Sequence, residues 1–182
     1  NNWVGIFLYS SSNNTIANNT ANSNNEEGIY LGSYSNNNTI YNNNANSNNV
    51  WGICLYSSSN NNIYNNNASN NDDGIYLDYS SNNIIYLNNF RNNTQSNAAY
   101  YESTNIWNST SKITYTYNGS TYTNYLGNYW SDYTGSDADG DGIGDTPYSI
   151  DGDKDYYPLM EPWENYFAPT KFPVHNLNTG ED

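Results

Sequence analysis

The sequence predicts an all-β fold: a parallel β-helix, or solenoid, of about 22–24 residues per coil, ending in a hairpin and a cap. Three observations predict it. The word Gly5-Ile6-Phe7-Leu8 returns as Gly28-Ile29-Tyr30-Leu31, Gly52-Ile53-Cys54-Leu55 and Gly74-Ile75-Tyr76-Leu77, with glycines 23, 24 and 22 residues apart. Two further series, Ile16, Ile40, Ile63, Ile85 and Ala21, Ala45, Ala68, Phe90, both step by 24, 23 and 22. Asn and Ser runs interrupt every apolar segment, so no helical period survives. A repeat of this length cannot bury its apolar face alone and must stack on its neighbours.

Each coil then reads in order. The Gly-Ile-x-Leu word is a strand whose alternation sends Ile29 and Leu31 to one face and Tyr30 to the other. A polar turn follows (Ser10–Asn14, Ser33–Asn38, Ser57–Asn62, Tyr79–Asn83), then a short strand at the recurring Ile, then the Ala/Phe position. Of 41 Asn in the chain, 33 precede residue 98. Asn tolerates the left-handed backbone of tight corners, and stacked Asn side chains can bond up the axis as an amide ladder, expected at Asn42, Asn65 and neighbouring amides. Outward positions form two aromatic rows, Phe7, Tyr30, Cys54, Tyr76 and Tyr41, Tyr64, Tyr86, which suit either cross-rung packing or stacking on sugars. The acidic pairs Glu26-Glu27 and Asp72-Asp73 flank Trp51 two coils apart, roughly 9.6 Å by strand spacing. That is the best candidate in the chain for carboxylate-driven sugar hydrolysis, against the plainer reading of solvated corners.

The repeat decays after Asn93. Lys112 to Tyr125 reads as a hairpin turning at Asn118-Gly119, and with Trp107, Leu126, Trp130 and Tyr133 it is expected to cover the last apolar rung. Next comes an acidic loop, Asp137-Ala138-Asp139-Gly140-Asp141-Gly142-Ile143-Gly144-Asp145. Its alternating oxygen donors match the front of a calcium loop: carboxylates of Asp137, Asp139, Asp141 and Asp145, and the Ile143 carbonyl. Tyr148 stands where such a loop places Glu, so Asp151 or Asp153 is expected to complete the shell, with calcium in a structural role. The divisions expected are 1–126 for coils and hairpin, 127–162 for the cap, and 163–182 for a linker and the start of another unit.

A net charge of -14 with four basic residues (Arg91, Lys112, Lys154, Lys171) argues against nucleic acid or an anionic membrane as partner. Twelve of the 18 acidic residues lie at or after Asp132. One cysteine, Cys54, excludes an internal disulfide, and no apolar run is long enough to span a bilayer. The chain opens in mid-repeat, which reads as a piece of something longer.

The coil words, the run Tyr125-Leu126-Gly127-Asn128-Tyr129-Trp130-Ser131-Asp132-Tyr133, the acidic loop and Tyr157-Pro158-Leu159-Met160-Glu161-Pro162 resemble the NosD-type (CASH-domain) right-handed parallel β-helix proteins. They look most like tandem-repeat surface proteins of methanogenic archaea. The resemblance implies the fold over residues 1–162 and, for some members, copper delivery or polysaccharide chemistry. The residues offer copper little: His175, Met160 and Cys54 stand far apart. Seven Asn-x-Ser/Thr acceptors fit an exported glycoprotein. The function expected is a non-catalytic, calcium-stabilised module of an extracellular surface assembly, partnered by identical units. The alternatives are a carbohydrate-active β-helix using Glu26, Glu27, Asp72 and Asp73, or a glycan binder using the Tyr rows.

Overall fold

A computed structural model describes residues 2–167. The strands wind into a parallel β-solenoid of three sheets. The first sheet carries the Gly-Ile-x-Leu words: Ile6–Tyr9, Ile29–Gly32, Trp51–Tyr56, Asp73–Asp78 and Ser96–Tyr101, all parallel. The second stacks Thr15–Ala17, Thr39–Tyr41, Asn62–Tyr64 and Ile84–Tyr86. The third holds Asn67–Ser69, Asn89–Arg91 and Tyr129–Trp130, continued toward the first coils by a bridge from Asn67 to Asn44 and another from Asn44 to Thr20.

Register follows the repeat residue by residue. Ile29, Ile53 and Ile75 pair in one column, and Leu31, Leu55 and Leu77 in the next, every one of them fully buried. Ile40, Ile63 and Ile85 form the facing column from the second sheet. Each such side chain removed from water contributes about 1.5–3 kcal/mol, so a thin interior is enough when every coil repeats it. The recurring glycine has a steric cause. A Cβ on Gly52 would sit 2.7 Å from the Gly74 carbonyl, 2.8 Å from Asn71 Nδ2 and 2.9 Å from the Ala68 Cβ, and Gly28 is equally crowded by Gly52 and Asn48.

The asparagines form the expected ladders, and the buried rungs are the amides next to Asn42 and Asn65. Asn42 and Asn65 are the corner residues themselves, with φ of 53° and 55°. The residue after each corner turns inward. Asn43, Asn66, Asn88 and Asn128 are fully buried, and each accepts at Oδ1 from both the backbone N–H and the Nδ2 of the Asn in the coil before. Asn66 Nδ2 also donates to the Ile40 and Tyr64 carbonyls at 2.9 and 3.0 Å. Two parallel ladders run through Asn38, Asn61, Asn83, Asn105 and through Asn48, Asn71, Asn93. Buried amides of this kind are stable when their arms are satisfied, as those of Asn43, Asn66 and Asn88 are; at the end of its ladder Asn105 Nδ2 has no partner.

The repeat does not end at Asn93. A fifth coil continues through Ser96–Tyr101, the Ile84–Ile106 bridge and Tyr129–Trp130 beside Asn89–Arg91. The hairpin, Ile113–Tyr117 paired with Ser120–Asn124, is looped out of that coil. Its ends meet where Ser109 N donates to the Leu126 carbonyl at 2.8 Å. Beneath the last rung lie Trp107, Trp130 and Ile150, with Trp130 stacked on Phe90 at 4.9 Å and on Tyr148 at 4.4 Å. A second small core of Leu87, Tyr115, Tyr117, Leu126, Ile143, Leu159 and Tyr166 joins the hairpin to the acidic loop. Tyr166 belongs to a short 3-10 turn, Trp163–Tyr166, so packing against the solenoid extends into the expected linker. The rest of the expected linker, with Lys171, and the expected next unit, with His175, lie outside the described residues.

Candidate functional site

A groove of about 420 Å³ lies on the outer face of the first sheet. The register that stacks the core also stacks its walls: Phe7, Tyr30, Cys54 and Tyr76 stand in one outward row. Phe7 and Tyr30 stack at 5.2 Å and 5° between ring planes, and Trp51 stacks on Tyr76 at 4.7 Å and 9°. Cys54 carries no ring, so the row has a gap between these two stacks, with Cys54 buried at the floor. Glu27 and Asp78 enter the groove diagonally, one from the coil before Cys54 and the other from the coil after. Glu27 is 6% exposed, and burial, reinforced by Glu26, raises its pKa above the usual carboxylate value. Asp78 Oδ1 is buried without a hydrogen-bond partner. Burial, with the two carboxylates facing it, pushes the Cys54 thiol well up, so it is no nucleophile and a poor thiolate donor.

The expected hydrolytic carboxylates are not gathered around a sugar-sized space. Asp73 accepts from Trp51 Nε1 at 3.1 Å and from the Ser96 hydroxyl at 2.7 Å, and Asp72 accepts from the Thr94 hydroxyl at 2.7 Å. Both serve the coil edge, and neither lines the groove with Glu26 and Glu27. The second aromatic row, Tyr41, Tyr64 and Tyr86, is stacked ring on ring at 5.1 and 5.3 Å. Its faces cover one another, which is cross-rung packing and leaves mainly edges outward.

In the acidic loop, Asp137, Asp139 and Asp141 present carboxylate oxygens within 4.8 Å of one another. Asp145 and Asp151 are not part of that group. Asp145 Oδ2 instead accepts from the Ser136 hydroxyl and Ala138 N, both at 3.0 Å, and Asp151 lies exposed in the turn between Tyr148–Ile150 and Asp153–Asp155. Asp153 is likewise elsewhere, accepting from Asn105 N and Trp107 Nε1. Ile143 buries its side chain and bridges to Leu159. The loop is shaped from within. Asp137 accepts from Gly140, Asp141 and Gly142 amides, Asp141 accepts from Ile143 N, and Gly142, at φ 90°, passes under the Tyr117 ring. Burial, with Asp139 and Asp137 adding to it, holds the Asp141 carboxyl above its usual pKa.

The model of a family described as periplasmic copper-binding protein (NosD) matches residues 1–135. The chain belongs to the NosD family. No curated protein and no solved structure matches it significantly. The NosD description corrects the expected cofactor: it names copper, and calcium has no support. Copper in turn does not fit the described residues. The soft donors among them are Cys54, at the groove floor, and Met160, packed against the second core. Neither belongs to a metal-ligating group, and the one such group among the described residues is all carboxylate.

Sequence reasoning missed Asp78, whose role appears only once the register places it beside Cys54, and Asp155, fully buried beneath Trp130. The signal for Asp78 was its place two residues beyond Tyr76, on the same strand face.

Proposed function

We propose that this NosD-family chain is a non-catalytic structural module of an extracytoplasmic assembly, a rigid β-helical segment partnered by further copies of itself. The observation that carries the reading is where its polar chemistry is spent. The buried Asn ladders, the Ser side chains that continue them, and Asp72, Asp73, Asp153 and Asp155 are all engaged in holding one coil to the next or closing the cap. The family description as periplasmic supports the compartment. No helix among the described residues is long and apolar enough to cross a membrane. Electron microscopy of native cell-envelope material, with the chain located by antibody, tests this. Ordered arrays or filaments are expected, and dispersed single copies in the soluble fraction would overturn the proposal.

A further inference from the structure

We propose that the groove over Cys54 binds a small organic ammonium ion, held between the Phe7–Tyr30 and Trp51–Tyr76 stacks and countered by Glu27 and Asp78. This goes beyond the structural role and does not depend on assembly. Glu26, Glu27 and Asp78 line the groove, and among the described residues no Lys or Arg does. Glu27 is more than nine-tenths buried, and among the described residues its carboxylate has only its own backbone N–H for a partner. Asp78 Oδ1 is a second acceptor without a donor. A buried Glu27 carboxyl beside a buried, unpartnered Asp78 oxygen, with no cation opposite them among the described residues, is costly unless a cation supplies the missing charge.

The walls decide which cation. Tyr30 covers one face with Phe7 and turns the other toward the ringless Cys54 position. Ring faces attract a cation within about 6 Å, and they favour one that sheds its water readily, as an alkylated ammonium does. A metal ion would need several converging oxygens, and Glu27 and Asp78 belong to no such group. A neutral sugar would stack on the rings but leave the buried charge unmatched. An anion is repelled.

The test uses the full chain and choline chloride, followed by calorimetry and Trp fluorescence at constant ionic strength. The comparison ligand is 3,3-dimethyl-1-butanol, the uncharged carbon isostere of choline. Saturable one-to-one choline binding is expected, with the isostere at least about tenfold weaker. Glu27→Gln and Tyr30→Ala should each weaken choline about tenfold or more, while Tyr64→Ala, on the neighbouring sheet, leaves it unchanged. Melting curves accompany each variant, and Asp78→Asn gives the same reading if Glu27→Gln is unfolded. Absence of saturable choline binding, equal binding of the isostere, or a neutral oligosaccharide that occupies the groove without competing with choline would each overturn the proposal.

Discussion

The Trp130 indole N–H donates to Asp155 Oδ2 at 2.9 Å, under the last rung, where the carboxylate has no solvent contact. Asn128 N and Tyr157 N donate to the same side chain at 2.7 and 3.0 Å. Asp155→Asn turns an NH2 group toward these donors, so a loss of about 3 kcal/mol is expected in chemical denaturation, with Trp fluorescence as the probe.

The same residue sets a pH dependence. Burial raises the Asp155 pKa to about 7 against an ordinary 3.8, although the surrounding N–H donors pull it back. The folded state therefore holds this proton more tightly than the unfolded chain does. Its stabilising contribution is complete below about pH 4 and is lost as the pH rises through about 7. Between those limits the melting temperature should fall more steeply in wild type than in Asp155→Asn, a comparison that cancels the general effect of net charge.

Neighbouring asparagines should behave oppositely. Asn66→Ala strands the Ile40 and Tyr64 carbonyls and the Asn43 amide, and should cost about 3 kcal/mol or more in a denaturant titration. Asn65→Gly keeps a left-handed corner and removes a buried acceptor that has no partner, so no loss of stability is expected.

Gly52→Ala should destabilise by about 2 kcal/mol or more, because the added methyl meets backbone and ladder atoms that no single rotamer change can clear. Gly119→Ala meets nothing within 4 Å, but must hold φ at 84° in the hairpin turn, so its smaller cost, about 1 kcal/mol, is conformational. Thermal melts of the two variants side by side check the ranking.

Cys54 should react with a thiol reagent far more slowly in the native chain than in denaturant, since it is 1% exposed and its thiol is held protonated. Cys54→Ser should leave copper uptake, read by elemental analysis after gel filtration, unchanged. A drop in that uptake would place copper in the groove after all.

Core columns were legible because a repeated coil writes the same residue into the same place: Ile29, Ile53 and Ile75 line up in the sequence as they do in space. The ladders were legible as runs of amides, but not which amide of a run turns inward, since Asn42 and Asn43 are chemically identical and only the backbone decides which is the corner. The fifth coil was hidden by spacing. Asn88 and Asn128 are 40 residues apart, where earlier ladder partners are 22 to 24 apart, because the hairpin is spliced between them. In the acidic loop the pattern of aspartates was plain, but alternation does not show which carboxylates converge: Asp137, Asp139 and Asp141 do, while Asp145 accepts from Ser136 and Ala138.

The meeting of Ser109 with Leu126 gives the winding a seam. A length of chain that leaves and returns at one point adds bulk without disturbing the pitch on either side. Coil number and coil content can therefore vary separately: rungs set how far the rod reaches, while excursions at such seams set what it displays.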